Sequence, residues 1–476
     1  MSLTVSLAAV GAILATATLV GRGISVALLP ADPAFRAERW GWSVALGATI
    51  LAAATAAALA WGARPGWLGF AWASVIVGLL AWRLRLPRES VDLPIGGKRW
   101  GWITAAFALL LVIGIVLYLL RALTEPMWSN DYLAIWGLKA KIIFFTRRLP
   151  QRFLPEPLYG FSHPEYPLGL PLLLAGVCSL LGRWDDHAVA LLFPLFQIAT
   201  LAALWGWLTR RGVRWPLPLA AAALLSLFEP LYSGFLTGLA EVPLSCVFLL
   251  FGTAFSDALD GDRSSAGEAS ANSGALRRLA TASILAAGLK NEGLLLAAVG
   301  AVGALIARRR DRWRMATCAF LPAAVLAVLG RVLSGNAPLR DFDFGLIARP
   351  VELAGRLTET VRAAISGVVW PAAPGILCLV LLFAAGRRTP FADRLLGLAA
   401  ALWICYFLIP MFAVAGPAWL VSTSLARTSA ALAPLAAAGL TARLPWRCAG
   451  AASAAEGDPR ASGGHDGSRT LSTPAS

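Results

Sequence analysis

"GWITAAFALLLVIGIVLYLLRAL", residues 101–123, contains a single charged side chain, Arg121. A helix needs about 20 apolar residues to cross the hydrocarbon of a bilayer, so this stretch is long enough to span a membrane. The rest of the chain is similar: of its 476 residues, 58% are apolar and 14% are charged. Ordinary soluble domains carry about 25% charged residues. The composition therefore predicts a membrane protein.

Comparable apolar blocks recur along the whole sequence. They are 3–20, 43–61, 66–82, 101–123, 168–181, 188–208, 217–235, 239–255, 279–289, 293–307, 315–333, 365–385, 395–414 and 429–441. Backbone groups in hydrocarbon must pair within their own segment, so these blocks predict helices. The predicted fold is all-α, a polytopic transmembrane bundle with about 12–14 membrane segments.

The net charge of +15 could suggest a nucleic-acid partner, but the arginines lie in short clusters between apolar blocks. Such clusters are typical of cytoplasmic loops and predict no nucleic-acid binding. They are "RLRLPRES" (83–90), "RRGVR" (210–214), "RRRDRWR" (308–314) and "GRR" (386–388). The linkers 124–167 and 336–364 should then face outward.

One cluster conflicts with this topology. If every block crosses the membrane, "RRGVR" falls on the outer side. The block 168–181 is short and contains Pro171, so we expect it to enter the membrane without crossing. The short blocks 279–289 and 293–307 should form a hairpin around a turn at "KNEG".

Several kinds of site are not indicated. Six cysteines lie singly without a CxxC spacing, which disfavours a disulfide framework or a zinc site. The sequence has no Walker A motif and no GxGxxG before a helix, so a nucleotide site is not predicted. Residues 256–275 and 449–476 are small and polar and are expected to be disordered. The predicted organisation is N-terminal transmembrane helices (1–100), a larger transmembrane region (101–442) and a disordered cytoplasmic tail (443–476).

"SNDYLAIWGLKAKIIFF" (129–145) directly follows the block 101–123 and introduces an acid, Asp131, into an apolar context. Its apolar residues fall on one helical stripe, with Lys139 and Lys141 elsewhere, which suits a helix lying in the membrane interface. The stripe consists of Ile135, Leu138, Ile142 and Phe145. Asp131 could cap this helix or carry chemistry, and the sequence leaves both open.

Further polar residues interrupt the apolar pattern, and each also has a structural explanation as a rigid junction, an ion pair or a snorkelling anchor. They are His163, Glu165 and Tyr166 in "SHPEYPLGLPLL", Glu241 in "AEVPL", Lys290 and Glu292 in "LKNEGL", and Arg427 in "TSLAR". A charge at membrane depth costs about 2.5–3.5 kcal/mol on insertion scales, so each needs a partner or a function. The topology places the charged ones at the outer face, which suits a charged, lipid-bound substrate.

The order of "NDYLAIWGLKAK", "HPEYPLGLPLL", "AEVPL", "LKNEGL" and "TSLAR" resembles bacterial membrane glycosyltransferases of the GT-C superfamily. This superfamily includes protein O-mannosyltransferases and aminoarabinose transferases, and the chain looks closest to glycosyltransferase family 39-like proteins over about residues 111–434. The resemblance implies a GT-C fold and a catalytic acid at Asp131. The sequence departs from the pattern where Asn130 precedes a single acid and where Glu165 and Glu241 replace aspartates.

The resemblance implies transfer of a sugar from a polyprenyl-phosphate donor to a glycan, lipid or protein acceptor at the outer face of a bacterial plasma membrane. Inverting displacement needs a carboxylate base and cations for the departing phosphate, and no enzyme nucleophile. Asp131 is the expected base. Arg427 and Lys290, with Lys139, are the expected phosphate partners.

The remaining candidates are expected to bind the substrate. Glu165 or Glu241 would orient the acceptor or ligate a divalent metal, whose requirement the sequence leaves open. Trp136, His163 and Tyr166 would line the sugar pocket, with Glu292 beside them.

Two other classes of function stay open. A transporter or flippase for a lipid-linked or anionic solute would show inverted repeats and polar groups at mid-membrane, and neither is evident. A non-catalytic partner of a cell-envelope complex would have a tightly packed outer face instead of a cavity around Asp131.

Overall fold

A computed structural model describes residues 3–29, 33–62, 101–149, 162–260, 269–307, 310–333, 342–369 and 388–444. Helices dominate these ranges, which contain no strand and one isolated bridge between Phe342 and Ala413. Met1–Leu444 form one compact unit. The predicted segment 66–82, the cluster 83–90, most of 365–385 and the tail 449–476 lie outside the described residues.

The main helices of the described residues are numbered here in chain order. They are α1 (Leu3–Leu28), α2 (Arg36–Ala60), α3 (Gly101–Thr124), α4 (Gly137–Thr146), α5 (Gly169–Leu181), α6 (Leu192–Arg210), α7 (Leu217–Ser226), α8 (Glu241–Asp260), α9 (Ala269–Leu289), α10 (Asn291–Ile306), α11 (Arg312–Leu333), α12 (Pro350–Ala364), α13 (Pro390–Leu408) and α14 (Ala433–Arg443). The all-α prediction is confirmed for the described residues.

Seven helices in the described residues are long and apolar enough to cross a membrane. They are Val5–Val26, Arg36–Ala60, Gly101–Thr124, Asp186–Arg210, Glu241–Asp260, Arg312–Val332 and Pro390–Phe412. The helices α5, α7 and α10 are apolar but shorter. The predicted block 217–235 is helical only to Ser226, where turns replace the helix before α8. These observations support a membrane protein with a helical bundle.

Helix α8 defines the two ends of the bundle. Its 20 residues correspond to about 30 Å at 1.5 Å per residue, which matches the hydrocarbon thickness of a bilayer. Almost every side chain along it is buried, from Glu241 at its start to Leu259 near its end. We call the end at Glu241 the site end and the end at Asp260 the opposite end. Which of them faces outward stays a prediction from the arginine clusters.

Helix α5 enters and leaves at the site end. At its start, a Cβ on Gly169 would lie only 2.2 Å from the carbonyl oxygen of Gly288, two residues before Lys290. Just after its end, Asp186 accepts a hydrogen bond from Tyr132 at 2.5 Å. Thirteen residues span about 20 Å of helix, less than the hydrocarbon thickness. These contacts agree with a block that does not cross, which stays a prediction.

An ionic network joins five helices, α2, α6, α8, α9 and α13, at the opposite end. Asp257 contacts three arginines: Arg210 at 2.8 Å, Arg211 at 2.5 Å and Arg278 at 3.1 Å. Further pairs link Arg210 to Glu38, Arg211 to Asp260 and Arg394 to Asp260. The expectation of disorder over 256–275 is therefore wrong for Ser256–Asp260, because polar composition also suits a helix end buried in ion pairs. It is also wrong for 269–275, the first residues of α9.

Candidate functional site

Asp131 is not a helix cap. Its backbone is already helical, with φ −67° and ψ −34°, and its side chain accepts no capping hydrogen bond. Ser129 takes that role, because its Oγ accepts from the backbone N–H of Tyr132 at 3.3 Å. The capping interpretation of Asp131 is therefore wrong, and its carboxylate is available for other contacts.

The helix that follows Asp131 packs against the protein with a face other than the predicted apolar stripe. A π-helical turn, Tyr132–Trp136, precedes α4 and changes the register of the side chains. The buried face consists of Ile135, Trp136, Lys139, Ala140 and Ile143. Of the predicted apolar stripe only Ile135 is buried; Phe145 is 69% exposed, and Leu138 and Ile142 are partly exposed. Leu138, Ile142 and Phe145 thus stay at the protein surface, where an interfacial helix would present them to lipid, and the interfacial position of α4 stays a prediction.

Arg427 connects Asp131 to the interior of the bundle. Its Nη1 lies 2.6 Å from Oδ2 of Asp131, and its Nε lies 3.2 Å from Oε1 of Glu241. The second contact is an ion pair without hydrogen-bond geometry, since the Nε–H is not directed at the carboxylate. Arg427 is the second residue after another π-helical turn, Val421–Leu425, and its Nη2 donates to Ser424 at 3.4 Å.

Lys290 extends the same network. It lies between α9 and α10 in an extended backbone conformation, as the predicted "KNEG" turn requires. Its Nζ donates to Oε1 of Glu241 at 3.0 Å and contacts Oε1 of Glu292 at 2.7 Å. The structure thus brings five predicted site residues into one continuous set of ion pairs, which we call the ionic chain: Asp131, Arg427, Glu241, Lys290 and Glu292.

The members of the ionic chain differ in exposure. The side chains of Glu241 and Lys290 are 1% and 3% exposed, whereas those of Glu292 and Asp131 are 18% and 25% exposed. The second oxygen of Glu241, Oε2, has no hydrogen-bond partner among the described residues. Burial alone would lower the pKa of Arg427, but the carboxylates of Glu241 and Asp131 raise it above its ordinary value. The guanidinium therefore stays charged.

A second cluster contains the remaining predicted residues. Nδ1 of His163 lies 3.0 Å from Oε1 of Glu165, and the His163 ring stacks on Tyr166 with centroids 5.0 Å apart. Tyr166 in turn stacks on Trp136 at 5.5 Å. Lys139 donates to the carbonyl oxygen of His163 at 2.5 Å. Lys139 is thus held inside this aromatic cluster rather than in the ionic chain.

Lys139 is an unusual buried amine. Its burial lowers the pKa to about 7, although the nearby Glu165 carboxylate opposes the shift. His163, whose carbonyl it binds, has a φ of +50°, a left-handed conformation uncommon for a residue other than glycine. Such strained residues occur often at functional sites, and the buried lysine helps to hold this one in place.

Asp131 and Arg427 line a large cavity of about 1050 Å³. Both π-helical turns contribute to its wall, and such turns are frequent at functional sites. The cavity combines polar groups with an exposed aromatic ring, Trp419. Its polar lining consists of Asn130, Asp131, His163, Ser233, Ser422, Thr423, Ser424 and Arg427.

A smaller cavity of about 210 Å³ lies on the other side of Arg427. Lys290, Glu292 and Arg427 line it together with Tyr166 and several apolar side chains. Tyr406, which is 5% exposed, also lines it, and its hydroxyl has no hydrogen-bond partner among the described residues. Arg427 and Ser424 belong to both cavities, so Arg427 lies where the two meet.

Sequence reasoning missed Tyr406, Ser424 and Trp419. Tyr406 lies inside the apolar block 395–414, where a single tyrosine gives no signal. For a metal, the described residues contain no group of three or more His, Cys, Asp or Glu side chains that could hold an ion. The acids of the ionic chain have cations as partners instead.

Comparisons with known proteins give no relative of this chain. No family model, curated protein or solved structure matches it.

Proposed function

We propose that the protein is a membrane glycosyltransferase that moves a sugar from a polyprenyl-phosphate donor to a cell-envelope acceptor, with Asp131 as the general base. One observation carries the proposal: Arg427 is paired with Asp131 and lies where a large polar cavity meets a small cavity that contains a second cation. A transferase needs two substrates to meet at one base and one charge-stabilising group. This junction supplies both.

The small cavity suits the donor phosphate. Lys290 and Arg427 offer two cations, and charge-assisted hydrogen bonds to phosphate are the stronger class of such bonds. Tyr406 offers a hydroxyl that is buried and unpartnered in the described residues. Glu241 is almost completely buried and touches both cations, so it holds them in place rather than contacting the acceptor.

The lipid chain of the donor has a place beside this cavity. Helices α10 and α13 line the small cavity through Leu295 and Tyr406, and they continue into an apolar cavity of about 870 Å³. Ala298, Val302, Ala401 and Cys405 lie on its wall. An anion-binding pocket and a mainly apolar cavity in succession along the same two helices suit a phosphate carrying a long prenyl chain.

The large cavity suits the acceptor. Its hydroxyl, amide and carboxylate groups can bind the hydroxyls of a sugar, and Trp419 offers an aromatic face. In the reaction, the acceptor oxygen attacks the anomeric carbon while the bond from that carbon to the phosphate oxygen breaks. The phosphate leaves with the bonding electrons, and Asp131 takes the acceptor proton. The product has inverted configuration, and Lys290 and Arg427 stabilise the charge that develops on the phosphate.

The position of the polar groups favours a transferase over a transporter. Transporters place their substrate sites near the bilayer midplane between repeats. Here the ionic chain and both cavities it touches lie at the site end, where α8 and α10 begin. A partner protein without activity would have no need of a cavity of about 1050 Å³ beside Asp131.

Mass spectrometry of envelope glycans and glycolipids tests the proposal. Cells that lack the protein should lose one sugar increment from a single class of glycan or glycolipid, and the protein supplied in trans should restore it. Identical glycan profiles with and without the protein would contradict a transferase. Accumulation of a complete lipid-linked sugar, without loss of any glycosidic bond type, would favour the flippase.

A further inference from the structure

The resting ionic chain has no spare positive charge. Two cations, Arg427 and Lys290, are in contact with three carboxylates, so the described set carries a net charge of −1. A phosphate cannot simply add to such a set, because each cation already has two carboxylate partners. An incoming anion must replace at least one of them.

The exposures indicate which acids can leave. Glu241 is 1% exposed and contacts both cations. Moving it away from them would leave a carboxylate charge buried without a partner. Asp131 and Glu292 are 25% and 18% exposed, and each contacts one cation of the chain. Each also lines a cavity, Asp131 the large one and Glu292 the small one. Turning to solvent therefore costs these two acids less than it would cost Glu241.

We propose that Asp131 and Glu292 are internal competitors of the donor phosphate: the resting site is closed by its own acids, and phosphate binding at Arg427 and Lys290 displaces them. This inference rests on the proposed use of the small cavity by a phosphate. It adds an order of events: the donor phosphate binds first, and only then is Asp131 displaced from Arg427 and free to act. A base released in this way is available for the acceptor proton and is otherwise held in an ion pair.

The inference predicts that removing one of these acids strengthens ligand binding, whereas the loss of a site residue usually weakens it. Asp131→Asn keeps the shape of the side chain but removes the charge that competes for Arg427. The variant should bind a prenyl phosphate more tightly than the wild type, by a factor within the roughly 5–150-fold range typical of coupled sites. Glu292→Gln should act in the same direction through Lys290, which keeps the test valid if one variant does not fold.

The experiment measures the Kd of the full chain in detergent for farnesyl phosphate, with farnesol and inorganic phosphate as parallel probes. Farnesol lacks the anion and should bind the wild type and Asp131→Asn equally. Inorganic phosphate should show the same tightening as farnesyl phosphate if the headgroup alone displaces the acids; tightening seen only with farnesyl phosphate shows that the displacing anion is lipid-linked. Both results support the proposal.

A matched control is Glu352→Gln. Glu352 lies at the site end on α12 and is paired with Arg349 and Arg356, so it touches neither cation of the ionic chain. Its substitution should leave the Kd unchanged. Equal or weaker binding of farnesyl phosphate by both Asp131→Asn and Glu292→Gln would overturn the proposal, as would absence of phosphate binding to any form. Glycan analysis of cells reports on the transferase itself, so the two proposals fail separately.

Discussion

Lys139 offers a quantitative test of the site's construction. It is 1% exposed and inside the aromatic cluster, and its burial lowers the pKa to about 7 from an ordinary lysine value of 10.5. In the unfolded chain the amine is solvated and keeps a proton at neutral pH. Between these two pKa values the unfolded chain therefore binds more protons than the folded one.

The sign and size of the effect follow from proton linkage. Stability rises with pH wherever the unfolded state binds more protons, so the folded chain should gain stability from about pH 7 to about pH 10.5. A tenfold change in proton affinity corresponds to about 1.4 kcal/mol, which gives an upper limit of about 5 kcal/mol for this lysine. Between about pH 7.5 and pH 9.5, the contribution is roughly 2–3 kcal/mol.

Lys139→Met removes this contribution, and Lys141→Met is its control. Lys141 is two residues away but 37% exposed, with Asp186 at 3.5 Å. Thermal unfolding in detergent, followed across this pH range, should show a slope in the wild type and in Lys141→Met that Lys139→Met lacks. Because other groups titrate in the same range, the difference between the curves is the quantity to compare. Parallel pH curves for wild type and Lys139→Met would refute the reasoning.

Three further predictions concern other parts of the molecule. Asp257→Asn should cost about 3–5 kcal/mol of stability, because it removes the carboxylate partner of the buried Arg278 and leaves this arginine without a charged partner among the described residues. Asp260→Asn, at a side chain that is 28% exposed, should cost about 1 kcal/mol. Equal losses of stability in chemical unfolding would contradict the importance of this network. A cysteine at Asn291 should react with an impermeant thiol reagent from outside the cell and one at Arg310 should not, and reversed labelling would show that the site faces inward. Arg427→Lys should weaken transfer by about 1–3 kcal/mol in the donor dependence of turnover, because a lysine ammonium cannot make the two parallel hydrogen bonds to phosphate that the planar guanidinium makes. Wild-type kinetics would show that the residue only anchors the helix.

The bundle was predictable because hydropathy reports directly on burial in hydrocarbon. The block 101–123 is α3 almost to the residue, and the short block 168–181 is a helix of only 13 residues, as its length and Pro171 indicated. The members of the ionic chain were also predictable, although the sequence grouped Glu165 with them and the structure pairs Glu165 with His163 instead. A charge in an apolar chain needs a partner, and Asp131, Glu241, Lys290, Glu292 and Arg427 partner one another.

The pairing and the details of the site were not predictable. A π-helical turn occupies Tyr132–Trp136, and no residue in "YLAIW" signals it. From the sequence, Lys139 is expected to face solvent, and only the packing of α4 shows that it is buried. Asp257 belongs to a polar segment whose composition resembles a loop, and only the arginines brought by other helices show that it is buried. Tyr406 has no polar neighbours in sequence, so its role depends on the packing of α13 against the ionic chain.

The most direct test of the central claim is the fate of the sugar when Asp131 is replaced. The wild-type protein and Asp131→Asn are expressed at equal levels in cells that lack the protein, and envelope glycans are compared by mass spectrometry. Asparagine keeps the size and polarity of the side chain and cannot act as the base. The account predicts that the wild type restores the missing sugar increment and that Asp131→Asn, although folded, does not. Full restoration by Asp131→Asn would contradict it.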